Sequence, residues 1–359
     1  MRTFGVEEEL LLVDSATGAP LPVAREVLEQ HGTDGILTKE FQLEQIEIVA
    51  RPHSSIAEFA EDIRACRARA DAAARAAGAR VAALGTFPMR TLPHPTPHPR
   101  YEAMVEQFGI TSREQLTCGC HIHVSVESPD EGAAVLDRIR IWLPVITALS
   151  ANSPFWQGED SGYASFRSQV WQRLPGTGPN GIFGSAEAYR RLVQELLATG
   201  VPVDEGMLYF DARLSRNHPT AEIRVPDVCL DVDDTVLLAA LVRALVETAA
   251  RHWRDGRPPE EVPLPVLRHA GWQASRWGIE ASLLDPVEGC PREATEVVMA
   301  LLEHLRPVLA ESGDEAVVES RIGNVLRNGT GARHQRRVLE NTGRMADVVL
   351  DGIAVTMAH

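Results

Sequence analysis

What the chain lacks narrows its class first. No stretch reaches the roughly 18 apolar residues that a membrane-spanning helix needs. The start runs straight into a strand-like pattern, with no charged-then-apolar leader. Basic residues are in deficit, 35 against 50 acidic ones for a net charge of -15, which argues against a nucleic-acid surface or an anionic membrane patch. Cysteine is sparse and odd in number: Cys66, Cys118, Cys120, Cys229 and Cys290 form no pairing framework, which fits a reducing, cytoplasmic setting. Also missing are a GxxxxGKS/T phosphate loop, a GxSxG nucleophile elbow, internal repeats and low-complexity tracts.

What is present is a globular composition, 44% apolar and 24% charged over 359 residues. Strand patterns concentrate before residue 226 and helical ones after it, so the expectation is an α+β fold. A single unit over 1–359 is expected, sheet-rich over 1–226 and mostly helical over 227–359. The spacing predicts strands over 3–13, 41–49, 80–84 and 117–126. It also predicts a hairpin with strands over 207–214 and 221–225. Ser55 opens a capping box for a helix that stops near Gly78. Further helices are expected over 130–151 (kinked at Pro144), 186–198 and 234–253, the last capped by Asp233. The apolar helix 234–253 could serve a core or a homodimer surface. A Pro-rich connector over 258–265 could mark a subdomain boundary, and 266–345 reads as mostly helical. The His-Pro-rich stretch 94–100 reads as a surface loop. The long irregular stretch 152–182 carries Trp156, Tyr163, Phe166 and Trp171, which favour an ordered, functional loop.

Four acidic, strand-like segments carry the chemistry: Gly5 to Glu9, Glu40 to Glu47, Thr117 to Val126 and Thr220 to Val225. Residues two apart on a strand share a face. Glu7 therefore points with Glu9, His121 with His123, and Glu222 with Arg224. Glu8 falls with Val6 and Leu10, and Cys118 and Cys120 fall on the apolar face with Ile122 and Val124. Each pair alone has an ordinary reading as a solvated strand face or a cross-strand ion pair. Jointly they imply a surface for hard divalent cations, because crowded carboxylates need cations or arginines to stay ionised. Such a surface is equipment for handling a nucleoside triphosphate without a phosphate loop.

The same residues resemble the glutamate–cysteine ligase type 2 family, the carboxylate–amine ligases. The resemblance runs through GVEEE (5–9), LEQIEIV (43–49), TCGCHIHV (117–124), LSANSPFWQGEDSGYASFRSQVW (149–171), TAEIRVPD (220–227) and ASRWGIEA (274–281). It implies a glutamine-synthetase-like fold, with a curved, mainly antiparallel sheet around the active site and helices behind it. It implies ATP-dependent amide formation through an acyl phosphate, joining the γ-carboxylate of glutamate to cysteine or another amine, with Mg²⁺. Carried over, Glu7, Glu9, Glu47 and Glu222 match metal ligands, and Glu40 a supporting acid. His121, with His123 beside it, matches the group near the nucleotide phosphates. Arg224 matches the residue that meets phosphate or substrate carboxylate, and Arg167 a substrate or nucleotide contact. Arg51 stands where a Thr-Pro turn is frequent and could alter carboxylate recognition. Two other readings stay open at this point: a metal-dependent hydrolase built on His121 and His123, and a non-catalytic ligand-binding protein on the same fold.

Overall fold

The computed structural model of the protein describes residues 1–31 and 35–358. The chain begins with β1 (Phe4–Val13), the hub of its main sheet, and continues through α1 (Ala24–His31), β2 (Leu37–Lys39), β3 (Gln45–Val49), α2 (Ile56–Ala76) and β4 (Arg80–Ala82). Two short helices, α3 (Pro99–Phe108) and α4 (Ile110–Arg113), precede β5 (Cys120–Ser125). Then come α5 (Pro129–Ile139), α6 (Leu143–Leu149), the small hairpin of β6 (Phe155–Trp156) and β7 (Glu159–Asp160), α7 (Phe166–Trp171) and α8 (Ala186–Ala198). The hairpin β8 (Ala212–Leu214) and β9 (Thr220–Ile223) completes the main sheet. The rest is α9 (Val232–Arg254), α10 (Leu264–Trp277), a β10–β11 hairpin (Ser282–Leu284 with Pro291–Glu293), α11 (Ala294–Ser312), α12 (Glu315–Asn328), α13 (Gly331–Thr342) and α14 (Met345–Thr356).

Among the described residues the main sheet runs β2-β3-β1-β5-β9-β8, with β4 on the far end of β1 and every pairing antiparallel. Strand alternation sorts the two faces. Phe4, Val6, Leu10 and Leu12 of β1 and Ile122 and Val124 of β5 are fully buried against helices, chiefly α2 and α9. Glu8 falls on that buried face too. It survives there because Arg67 of α2 forks onto it, Nε to Oε2 at 2.8 Å and Nη2 to Oε1 at 2.7 Å. The Thr235 hydroxyl donates to the same carboxylate at 2.6 Å, and the Arg67 guanidinium also donates to the carbonyls of Cys229 and Leu230. A buried ion pair is tolerable when its remaining hydrogen bonds are met in this way. Cys118 and Cys120 lie in the core, as their alternation predicts.

Several expected boundaries move, each for a local reason. The strand expected over 41–49 begins at Gln45, because residues 41–43 bond to the loop before α3. Leu43 N donates to His94 O, Thr96 N donates to Phe41 O, and the buried Gln42 amide donates to Ser112 O and Gln115 O. The loop over 94–100 ends sooner than expected, since His98 caps α3 and Pro99 sits in its first turn, where a missing N–H costs little. The helix expected over 130–151 is two helices. Pro144 opens α6 instead of kinking a longer helix. Asp231, not Asp233, caps α9: its side chain accepts from Asp233 N at 2.9 Å. The expected hairpin strands over 207–214 and 221–225 are shorter, and a 3-10 turn occupies Glu205–Met207.

Helix α9 is buried along most of its length, packed by α2, α5, α11 and α12, so it is core and offers no dimer face. The connector over 258–265 does not divide the apolar interior. One cluster runs from Phe4 through Leu267 to Ile353. The irregular stretch after α6 is ordered by Asp227, whose carboxylate accepts from Asn152 N (2.9 Å), Ser153 Oγ (2.7 Å) and Ser165 Oγ (2.9 Å). Among the described residues no helix is long and apolar enough to cross a membrane.

Candidate active site

The face of the sheet opposite α2 and α9 carries a row of ionisable side chains set by strand register. Glu9 of β1 sits across from Glu47 of β3, and Glu7 sits across from His121 of β5. His123 pairs with Glu222 of β9, which pairs in turn with Arg213 of β8. Directly opposed residues bring their Cβ atoms to about 5 Å, so the row is continuous. Glu40 joins it from the segment between β2 and β3. Two groups result, Glu7–Glu47–His121 and Glu9–Glu40–Glu47, each with ligand atoms within 4.8 Å of one another and sharing Glu47.

The electrostatics of this row follow from crowding. Burial, then the charge of Glu9, pushes the Glu40 carboxyl up to about 8. Burial and the charges of Glu7, Glu40 and Glu9 push Glu47 well above the usual carboxylate range. Burial acts on Glu7 in the same sense, but the two imidazoles beside it, His121 Nδ1 at 3.8 Å and His123 Nε2 at 3.5 Å, hold it well below that range. Burial and the nearby Arg224 lower His121. Its Nε2 is buried with no hydrogen-bond partner, while His123 Nδ1 lies 3.0 Å from the Thr220 hydroxyl. Glu9 is aimed by a 2.6 Å hydrogen bond from Gly119 N. Unpartnered imidazole nitrogens on His121 and His123, on a row that also holds Glu7, Glu9, Glu40 and Glu47, fit one or two hard divalent cations of the Mg²⁺ type.

Glu222 does not join either group. Arg213 forks onto it at 2.7 and 3.1 Å, and Arg224 Nη1 bonds to the same carboxylate. Burial would raise Glu222, yet Arg224 and Arg213 hold it well below the usual range. Glu222 thus buttresses two guanidiniums. Arg224 reaches the cleft with its Cζ 5.7 Å from the centre of the Trp171 ring. Arg167 also stacks on Trp171, at 5.5 Å, but lines a separate cavity of about 40 Å³ and not the cleft. Its guanidinium lies 3.4 Å from the carbonyls of Val225 and Arg224. Arg51 also lies away from the cleft lining, with its backbone N–H on Asp62.

The cleft over the row has a volume of about 750 Å³, within the range of small-molecule sites. Beyond the expected residues it is walled by Arg100 and Tyr101 of α3, Trp171 of α7, Asp204, Tyr209 and Arg213. Sequence reasoning missed Arg100 and Asp204 because they lie in a Pro-rich stretch and a 3-10 turn with no period to read. Arg213 had a signal: it stands opposite Glu222 in the hairpin that the alternation predicts.

With this geometry established, the sequence profile of the glutamate–cysteine ligase family 2 matches residues 3–351. The chain belongs to that family. It is 54% identical over 99% of its length, and 95% of the relative's, to a Paenarthrobacter aurescens (strain TC1) protein named "Putative glutamate--cysteine ligase 2-1". It is 50% identical, over 99% of both chains, to the protein of the same name from Streptomyces avermitilis. The crystal structure of a glutamate–cysteine ligase from Francisella tularensis in complex with AMP superposes with a TM-score of 0.70. That match covers 100% of this chain and 89% of the other at 13% identity, and it shows the shared fold. The fold is the glutamine-synthetase-like α+β arrangement that the resemblance implied. As a member of this family the protein is an ATP-dependent ligase acting on small molecules, which displaces the hydrolase and binding-protein readings.

Proposed function

We propose that this ligase joins the γ-carboxylate of glutamate to an amine, with cysteine the first candidate, through an acyl phosphate. The supporting observation is the pair of ligand groups that share Glu47 on the sheet, with Arg224 beside them in one cleft. The names of the relatives supply the choice of glutamate and cysteine.

A carboxylate oxygen of the substrate attacks the γ-phosphorus of ATP. The bond from that phosphorus to the β,γ-bridging oxygen breaks, and ADP leaves with the electron pair. The amine nitrogen then attacks the acyl carbon, inorganic phosphate departs, and the nitrogen loses a proton. Both steps bring anions together, so positioning and electrostatics supply most of the rate. Arg224 neutralises the attacking carboxylate, and Glu222 and Trp171 hold its guanidinium in place. Tyr101, Tyr209 and Trp171 wall the cleft against water, which would otherwise hydrolyse the acyl phosphate. Glu7, Glu47 and His121 would hold one Mg²⁺, and Glu9, Glu40 and Glu47 a second. When bound, Mg²⁺ supplies charge neutralisation and orientation of the transferring phosphoryl group.

The main apolar cluster, which draws on residues from Phe4 to Ile353, supports reading the chain as one folded unit. Scattered free cysteines, four of them buried, suit a cytoplasmic location.

The test is Mg²⁺-dependent ADP release from ATP with glutamate across a panel of amines, with product masses recorded. ADP together with a new amide is expected. Absence of ADP with every pair, despite ATP binding, would reject glutamate as the carboxylate.

A further inference from the structure

At the aromatic end of the cleft, opposite charges stand side by side. Arg100 of α3 forks onto Asp204, Nε to Oδ2 at 2.6 Å and Nη2 to Oδ1 at 3.2 Å. Both side chains are half-buried and both line the cleft. Neither is used up by the pairing. Arg100 carries five N–H donors. Two go to Asp204 and one makes a 3.6 Å contact with Met104 Sδ. Asp204 Oδ1 also accepts from Gly206 N at 2.8 Å, which fixes the carboxylate. Gly206 itself leaves no room to spare: a Cβ there would lie 3.0 Å from Arg100 Nη2.

The pair has a fixed relation to the chemistry. Arg100 and Asp204 line the same cleft as Arg224 and Glu40, a member of the second ligand group. Tyr209, 5% exposed, lines that cleft with them. The cleft therefore offers, among its guanidiniums, Arg224 held by Glu222 at the sheet and Arg100 at the aromatic end with a carboxylate beside it. A dicarboxylic amino acid presents the complement: a carboxylate to be activated at one end, and a carboxylate and an ammonium together at the other.

We infer that Arg100 and Asp204 read the α-carboxylate and α-ammonium of the substrate, while Arg224 receives its side-chain carboxylate. This rests on the ligase reading above and adds which residues select the substrate class. The site takes zwitterionic dicarboxylic amino acids and discriminates against molecules lacking either group of the head. Arg100 and Asp204 are specificity residues and leave the phosphoryl chemistry to the sheet.

The experiment compares three carboxylates in ADP release with the same amine: glutamate, 4-aminobutyrate (which lacks the α-carboxylate) and glutarate (which lacks the ammonium). Arg100→Ala should raise the KM for glutamate roughly 10- to 100-fold, the range for a charge-assisted contact. The KM for 4-aminobutyrate should stay unchanged. Asp204→Asn, a nearly isosteric change that guards against misfolding, should raise the KM for glutamate and leave that for glutarate unchanged. An Arg100–Asp204 pair that merely latches α3 to the 3-10 turn would shift all three carboxylates alike, which overturns the inference and leaves the ligase reading intact. A rise in the KM for ATP alone would also overturn it. A wild-type enzyme that turns over none of the three overturns both.

Discussion

Trp171 lies against two guanidiniums, with the Cζ of Arg167 5.5 Å and that of Arg224 5.7 Å from its ring centre. Tyr209 meets the same ring edge-on at 4.7 Å. Cation–π contacts contribute about 0.5 to 2 kcal/mol each, and Arg224 has few other restraints. Its Nε has no hydrogen-bond partner, and only Nη1 is bonded to Glu222. Trp171→Ala should therefore lower kcat/KM for the carboxylate by about 10-fold, and Trp171→Phe by less. Steady-state ADP release checks this. Equal activity in Trp171→Ala would mean that Glu222 alone holds Arg224.

Three consecutive glutamates, Glu7, Glu8 and Glu9, should behave in opposite ways. Glu8→Gln leaves Arg67 as a buried charge whose partner is gone, a loss of about 3 to 5 kcal/mol. Glu9→Gln removes one of several crowded carboxylates and should cost activity while leaving urea stability within about 1 kcal/mol. Denaturation and ADP release on the two variants separate the roles. A stable Glu8→Gln would contradict the structural part assigned to the Arg67 pair.

That contrast also shows what the sequence could and could not convey. Alternation in β1 and β5 places Glu7, Glu9, His121 and His123 on one face, because side-chain period on a strand is strictly local. The partner of Glu8 is 59 residues away on α2, and nothing local points to it. Glu222 and Arg224 read as neighbours on a face. The expected hairpin also sets Arg213 opposite that glutamate, a cross-strand relation that the period of one strand does not display. Arg167 sits inside a recognisable motif, yet its placement behind β9 is decided by packing against Gly119 and Trp171. The α3 helix and its Arg100 were hidden by prolines that read as loop.

Gly119 is the point where that packing leaves no slack. A Cβ there would lie 2.2 Å from Arg167 Nη2 and 2.8 Å from its Cζ, so the buried guanidinium would have to shift off its place against Trp171. The same glycine donates its N–H to Glu9. Gly119→Ala should destabilise the fold by about 1 to 3 kcal/mol, the range for overpacking, and should lower activity by displacing Glu9. A variant with unchanged thermal midpoint and kinetics would refute the tight contact.

Relief of crowding at Glu47 gives a stability prediction with a ligand arm. Both ligand groups share this carboxylate, and its neighbours Glu7, Glu40 and Glu9 all disfavour its charged form. Glu47→Gln should be at least as stable as wild type without added metal, and inactive. Wild type should gain thermal stability with rising Mg²⁺, as any ligand of the native state requires. Glu47→Gln should lose most of that gain. Thermal melts across a Mg²⁺ series check both, and an undiminished gain in the variant would place the cation elsewhere.

Acid stability turns on a histidine far from the cleft. The His304 ring stacks on Trp142 with centres 5.1 Å apart and meets His252 edge-on at 5.5 Å. Burial, then the neighbouring His252, lowers His304 to about 4. An unfolded-chain histidine titrates near 6.5. Between those values the unfolded chain binds a proton that the native state refuses, so stability falls as pH drops from about 6.5 toward 4 and is intact above that window. The loss is at most about 3 kcal/mol, reduced by whatever solvent reaches the ring. His304→Phe keeps an aromatic partner for Trp142 and removes the titration. Urea midpoints at pH 7.5 and pH 5 should therefore differ less in the variant than in wild type. Equal differences would assign the acid sensitivity to the native carboxylate pairs instead.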